Sequence, residues 1–213
     1  MAGNLSAHEM EHYWYGPGRD DDRSMRFGLR LSGGGAHQSK TLMLAETSIL
    51  VNLGSAENLD FRAKILEENV LGKATTSGRE SVYRNLSSLY GFVNSPPLTR
   101  AFIKLAKADV KSRPLLALLV ALARDPLLRE TAETVVARPV GQFVQWPDLA
   151  QAIDSAHPGR FSDKMLRSLA QNCASTWTQA GHLEGRKKQR KRVDTTPAVA
   201  ALAALIAAVC GFS

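Results

Sequence analysis

Apolar residues recur at spacings of three and four along most of the chain beyond residue 40, the period of helices that bury one face. The stretch Lys40 to Leu53 carries Leu42, Leu44, Ile49, Leu50 and Leu53 and stops at Gly54, which predicts a first helix. Asn58 or Asp60 caps a second, with Phe61, Ile65, Leu66 and Leu71 apolar and Gly72 after its last turn. A third, Ser77 to Tyr90, sets Val82, Leu86, Leu89 and Tyr90 on one side and Arg79 and Arg84 elsewhere. Prolines 96 and 97 break the chain before an amphipathic helix from Leu98 to Ala108. Pro114 to Ala123 is apolar all round but only half the roughly twenty residues a membrane crossing needs, so it predicts a central buried helix. Asp125-Pro126 opens a further helix to about Val136, and no strand is expected in this part.

The pattern changes after Arg138-Pro-Val-Gly-Gln142, which reads as a joint between two units. Trp146-Pro147-Asp148 starts a short helix to about Ala156, and Ser162 caps a longer one that runs to Ala180 and ends at Gly181. Met165, Leu169, Cys173, Trp177 and Ala180 form its inward stripe; Lys164, Arg167, Ser168, Gln171, Asn172 and Ser175 point the other way. His182–Gly185 and Arg190–Asp194 can then pair as two short strands. Helix, turn, longer helix and basic hairpin follow in the order of a winged helix-turn-helix. The expected fold is mainly α: a flexible leader over 1–36, rich in breakers and charge, a helical bundle over 37–140, and a smaller winged-helix-like domain over 141–213 with one short β-hairpin. Within that domain Leu202, Leu205, Ile206 and Val209 read as the packing stripe of a docked C-terminal helix.

Charge sharpens this picture. The 213 residues carry a formal net charge of +7, and Arg186, Lys187, Lys188, Arg190, Lys191 and Arg192 supply almost all of the excess within seven positions. Like charges this dense repel one another, so they call for an anionic partner. Phosphate backbone is one, and six neutralised phosphates give a log–log salt slope near −5. A solvated loop and a juxtamembrane anchor are the other readings. The anchor is disfavoured because Pro197 to Ser213 is short and mainly alanine, so membrane association is not expected. Arg, Gln and Asn on the long helix are side chains that pair with base edges in the major groove, although any surface helix shows such a polar face.

Other chemistry finds little purchase. Gly33 to Thr41 approaches a phosphate loop, but Ser39 stands where its second glycine belongs and no strand precedes it. Asp20, Asp21 and Asp22 are flanked by Arg19 and Arg23, and the five histidines show no ligand spacing with Cys173 and Cys210. Glu67 and Glu68 diverge on a helix. Hence no enzyme, cofactor, metal or small-molecule substrate is expected. Two cysteines in apolar patterns and no signal-peptide pattern at the start point to a reducing, cytoplasmic setting.

The segments LSGGGAHQSKTLMLAETSILVNLG and FRAKILEENVLGKATTSGRESVYRNLSSLYGF, with LAQNCASTWTQAGHLEG later, resemble the BrxA family of bacteriophage exclusion (BREX) defence systems. The matching positions are Glu46, then Asn69, Leu71 and Lys73, then Thr75, Thr76, Arg79 and Arg84. The resemblance implies a NusB-like helical bundle, a smaller C-terminal domain, and binding of double-stranded DNA without catalysis beside other phage-defence proteins. It also implies a second basic patch at Lys73, Arg79 and Arg84. An adaptor in a multi-protein complex and an RNA-binding antitermination-like factor are the alternatives, the latter on fold analogy alone.

Overall fold

The computed structural model describes residues 14–33, 35–54 and 60–212. It is mainly helical, with α1 Asp21–Phe27, α2 Leu44–Leu53, α3 Thr76–Tyr90, α4 Pro97–Ala108, α5 Arg113–Arg124, α6 Pro126–Arg129, α7 Ala132–Val136, α8 Trp146–Ala156, α9 Asp163–Gln179 and α10 Pro197–Val209. One two-stranded antiparallel sheet joins β1 Leu183–Glu184 to β2 Gln189–Arg190.

The all-apolar helix α5 is the hub. Leu116, Ala117, Leu118, Val120 and Ala121 are buried, and the helix packs against α2, α3, α4, α9 and α10, while Leu115 and Leu119 on its remaining side are half-buried. Beside it Phe61, Phe92, Tyr90 and Phe102 stack in series, with centroids 4.4, 5.7 and 5.3 Å apart. Tyr90 is fully buried and donates its hydroxyl to the Leu42 carbonyl at 2.5 Å. Leu42 therefore packs without being helical: Met43 sits at φ 49 and the first predicted helix starts only at Leu44. The second begins as expected at Asp60, which caps the Ala63 amide at 3.0 Å, but passes into a π-helix over Ala63–Glu67. The alternative cap Asn58 lies outside the described residues. The helix expected from Pro126 to Val136 is two, because the chain turns at Thr131 to meet the Trp177 indole.

Part of the leader is built into the fold. Asp20 caps α1, Ser24 is buried and donates to the Val209 carbonyl at 3.0 Å, and Leu29 is in the core. The Gly16 amide donates to the Cys210 carbonyl at 2.9 Å, and a Cβ on Gly16 would fall 2.3 Å from the Gly211 oxygen. Two backbones this close leave no room for a side chain. Arg129, 6% exposed, completes the joint: its guanidinium donates to the carbonyls of Leu122 and Arg30 at 3.0 and 2.6 Å and to the Tyr15 hydroxyl at 2.5 Å.

The last helix docks on α1, α4 and α5 through Val199, Leu202 and Val209. Leu205, expected in that stripe, is 39% exposed. At thirteen residues α10 spans about 20 Å. No helix among the described residues is long and apolar enough to cross a membrane.

Candidate nucleic-acid interface

A four-residue turn, 185–188, joins the two strands, and register decides what each cation does. Leu183 pairs with Arg190 and Glu184 with Gln189, so Arg190 shares a face with the buried Leu183. Its Nε donates to the Val135 carbonyl at 2.9 Å, Nη1 reaches the carbonyls of His182 and Lys191, and burial lowers its pKa. Lys188, at φ 58, folds back onto α9 and donates to the Thr178 hydroxyl at 3.0 Å. These two residues of the expected phosphate-gripping wing make hydrogen bonds within the fold that hold the hairpin in place. Lys191 meets Glu184 at 3.1 Å in an exposed pair. Arg186 and Lys187 are exposed at the turn, and Arg192 is exposed at the rim of a cavity of about 410 Å³ between the hairpin, α5 and α10.

The hairpin also has a third partner that the sequence reading missed. The Gly141 amide donates to the Arg190 carbonyl at 2.9 Å, the Arg190 amide to Gln142 at 2.7 Å, and the Val144 amide to Lys188 at 3.0 Å. The segment read as a joint thus runs antiparallel to β2, with Phe143 opposite Gln189.

Helix α9 packs on α8 and buries Leu169, Ala170, Cys173, Ala174 and Trp177 in the core, with Leu166 partly buried against it. Leu166, one residue and about 100° round the helix, takes the inward place expected for Met165, which is 43% exposed. Lys164, Arg167, Ser168 and Gln171 are exposed as expected. Asn172 is not free: its side-chain amide donates to the His37 carbonyl at 2.8 Å and ties the segment before α2 to α9. Ser175 is half-buried, its hydroxyl on the Gln171 carbonyl.

Two aromatics complete the surface. Val144 is fully buried, so Phe143 beside it faces out at 45% exposure, and Trp146 at the start of α8 is 37% exposed. The Lys187 ammonium lies 5.9 Å from the Phe143 ring centre and the Arg167 guanidinium 5.2 Å from that of Trp146. Three residues span at most about 11 Å, so cation, ring, ring and cation follow one another closely from hairpin to helix. Some forty residues separate the two rings from the basic run in sequence, so no local pattern marks them.

The Lys73, Arg79 and Arg84 group lies elsewhere, around the start of α3. Lys73 pairs with Glu46 at 2.9 Å; burial raises the Glu46 pKa, but the Lys73 hydrogen bond and charge outweigh it and leave the carboxyl below its usual value. Asn69, at φ 50, accepts from the Lys73 amide at 2.8 Å, and Thr75 caps α3. Arg79 donates to the Thr76 hydroxyl at 3.1 Å, and Arg84 is exposed. Of the positions that carry the family resemblance, Glu46, Asn69 and Lys73 therefore build a joint between α2 and α3.

A different polar chain runs through the core. His37 Nδ1 lies 2.7 Å from an Asp125 carboxylate oxygen and Nε2 2.8 Å from the Thr176 hydroxyl. The order is that of a nucleophile triad, but the three residues are 0–1% exposed, so substrate has no access. It is a structural strut. Among the described residues, no group of three or more His, Cys, Asp or Glu side chains could hold a metal ion.

His182, edge-on to Trp177 and beside Arg190, has its pKa pushed down to about 4, first by burial and then by that guanidinium. An unfolded histidine titrates near 6.5, so on acidification the unfolded chain takes up this proton first. Stability is therefore expected to fall from about pH 6.5 towards pH 4, and His182→Gln to flatten that part of a melting-temperature profile.

No protein-family model and no curated protein matches the chain.

Proposed function

We propose that the chain is a non-enzymatic DNA-binding protein that grips duplex backbone with the 185–188 turn and the exposed face of α9. One observation carries the reading: Lys164, Arg167, Arg186 and Lys187 are exposed around one surface and meet no carboxylate among the described residues. Arg192 adds to them, and Lys191 can exchange Glu184 for a phosphate because an exposed ion pair is worth at most about 1 kcal/mol. Element order supports the same reading. α7, the extended 141–144 segment, α8, α9, β1 and β2 follow as in a winged helix-turn-helix, with α9 as recognition helix and the hairpin as wing.

The resemblance to the BrxA family extends the proposal to a cytoplasmic component of a BREX phage-defence system, its bundle NusB-like, working beside other defence proteins. Fluorescence anisotropy of a labelled duplex across a salt series tests the core of it. Six phosphate contacts, from Lys164, Arg167, Arg186, Lys187, Lys191 and Arg192, predict a slope near −5. A salt-independent affinity would contradict it, and tighter binding of single-stranded RNA would favour the antitermination-like alternative. If the basic run instead meets an acidic partner protein, excess duplex will leave that complex intact.

A further inference from the structure

We infer that this surface takes a strand with unpaired bases next to the duplex it holds, with Phe143 and Trp146 as the stacking platforms. The inference rests on the nucleic-acid reading above and deepens it.

Phosphate contacts alone do not account for the two rings. A backbone-gripping surface needs cations and hydrogen-bond donors, and large exposed apolar side chains there lose solvation energy for nothing in return. Phe143 and Trp146 are nonetheless 45% and 37% exposed, while their neighbour Val144 is fully buried. Pairing with β2 holds Phe143 outward, because the Val144 amide is bonded to Lys188 and the Gln189 side chain to Gly141. Trp146 is set at the first turn of α8, where Asp148 caps the Gln145 amide at 2.9 Å. Both rings are thus presented on ordered backbone rather than on a loose loop.

Their neighbours fit the chemistry. Lys187 and Arg167 lie over the rings at cation–π distance, so a base that stacks there takes the cation's place on the ring and leaves the cation to the adjoining phosphate. Positively charged grooves with interleaved aromatics are how proteins hold single strands, since every base has a π-face. Paired bases inside a duplex present no free face to such rings. A duplex end, fork or gap does.

The test compares three labelled ligands by anisotropy: a blunt duplex, the same duplex with a short thymidine tail, and the same duplex with an abasic tail of equal length. The abasic tail adds the phosphates without the bases. The expected result is that the thymidine tail tightens binding roughly tenfold over the abasic one, as stacking of one or two bases provides. Phe143→Leu with Trp146→Leu keeps apolar bulk, removes the rings, and is expected to abolish that difference, so that the thymidine and abasic tails bind alike. Tryptophan fluorescence should be quenched by the thymidine tail in the parent and not in Trp146→Leu. Equal affinity for the two tails, or a tail preference that survives in the leucine variant, would overturn the inference alone. Failure to bind any of the three ligands would overturn the proposed function, and this inference with it.

Discussion

Alanine at Lys164, Arg167, Arg186 and Lys187 together is expected to weaken duplex binding roughly 100-fold or more near 0.1 M salt and to flatten the salt slope by about 3.6, at 0.9 per lost phosphate contact. All four are exposed, and removing them opens no cavity and orphans no buried group, so melting temperature should hardly move. The loss should be similar for unrelated sequences, because backbone contacts carry no base information. Arg190→Ala is the contrasting case. It removes one of the same run of six cations, but one bonded to the Val135 and His182 carbonyls rather than facing solvent. The His182 carbonyl keeps its bond from the Lys191 amide at 2.9 Å, but leaving the Val135 carbonyl unpaired is expected to cost about 1–3 kcal/mol of stability, with the salt slope of the folded protein little changed. Calorimetry and anisotropy on both variants separate the two roles.

The largest stability effect is expected at Asp125. Its carboxylate, 1% exposed, accepts from the His37 amide at 3.1 Å and Nδ1 at 2.7 Å, and caps α6 through the Leu127 and Leu128 amides at 3.1 and 3.3 Å. Asp125→Ala strands all four donors in the core and is expected to cost about 3–5 kcal/mol, a large part of a domain's total stability. Asp125→Asn keeps the cap but turns an amide towards His37, so it should lose less. Burial raises the carboxyl's pKa, but the His37 hydrogen bonds and charge prevail and hold it below the usual range. A depressed acid contributes stability above its unfolded pKa of about 3.9 and loses it as pH falls through the folded value. In the parent this contribution should therefore persist down to about pH 4 and vanish below, whereas the alanine variant lacks it throughout. Denaturant melts across pH report both.

These two sites show what the sequence made legible. Periodicity located α3, α4, α5 and α9 to within a residue or two, because each presents a long apolar face to the core. It also placed Lys164, Arg167, Gln171, Arg186 and Lys187 on the surface. The roles of Lys188 and Arg190 were not readable. Which face a hairpin cation takes depends on turn length and register, and two-residue strands are too short to display an alternating pattern. The 141–144 segment escaped for the same reason, and with it the outward aim of Phe143. Glycines misled as well. The run before Ala36 read as a flexible lead-in, but a Cβ on Gly35 would fall 1.7 Å from an Asp125 oxygen, so at that position glycine marks close packing. Long-range contacts such as Asn172 to the His37 carbonyl leave no local trace at all.

Chemical-shift mapping of isotope-labelled protein titrated with a short duplex is the most direct test of the central claim, that the hairpin turn and the outer face of α9 form one polyanion-binding surface. The largest shifts are predicted at Lys164, Arg167, Gln171 and residues 185–188, with α2 and α3 largely silent. Shifts concentrated around Lys73, Arg79 and Arg84, or none at saturating duplex, would contradict it.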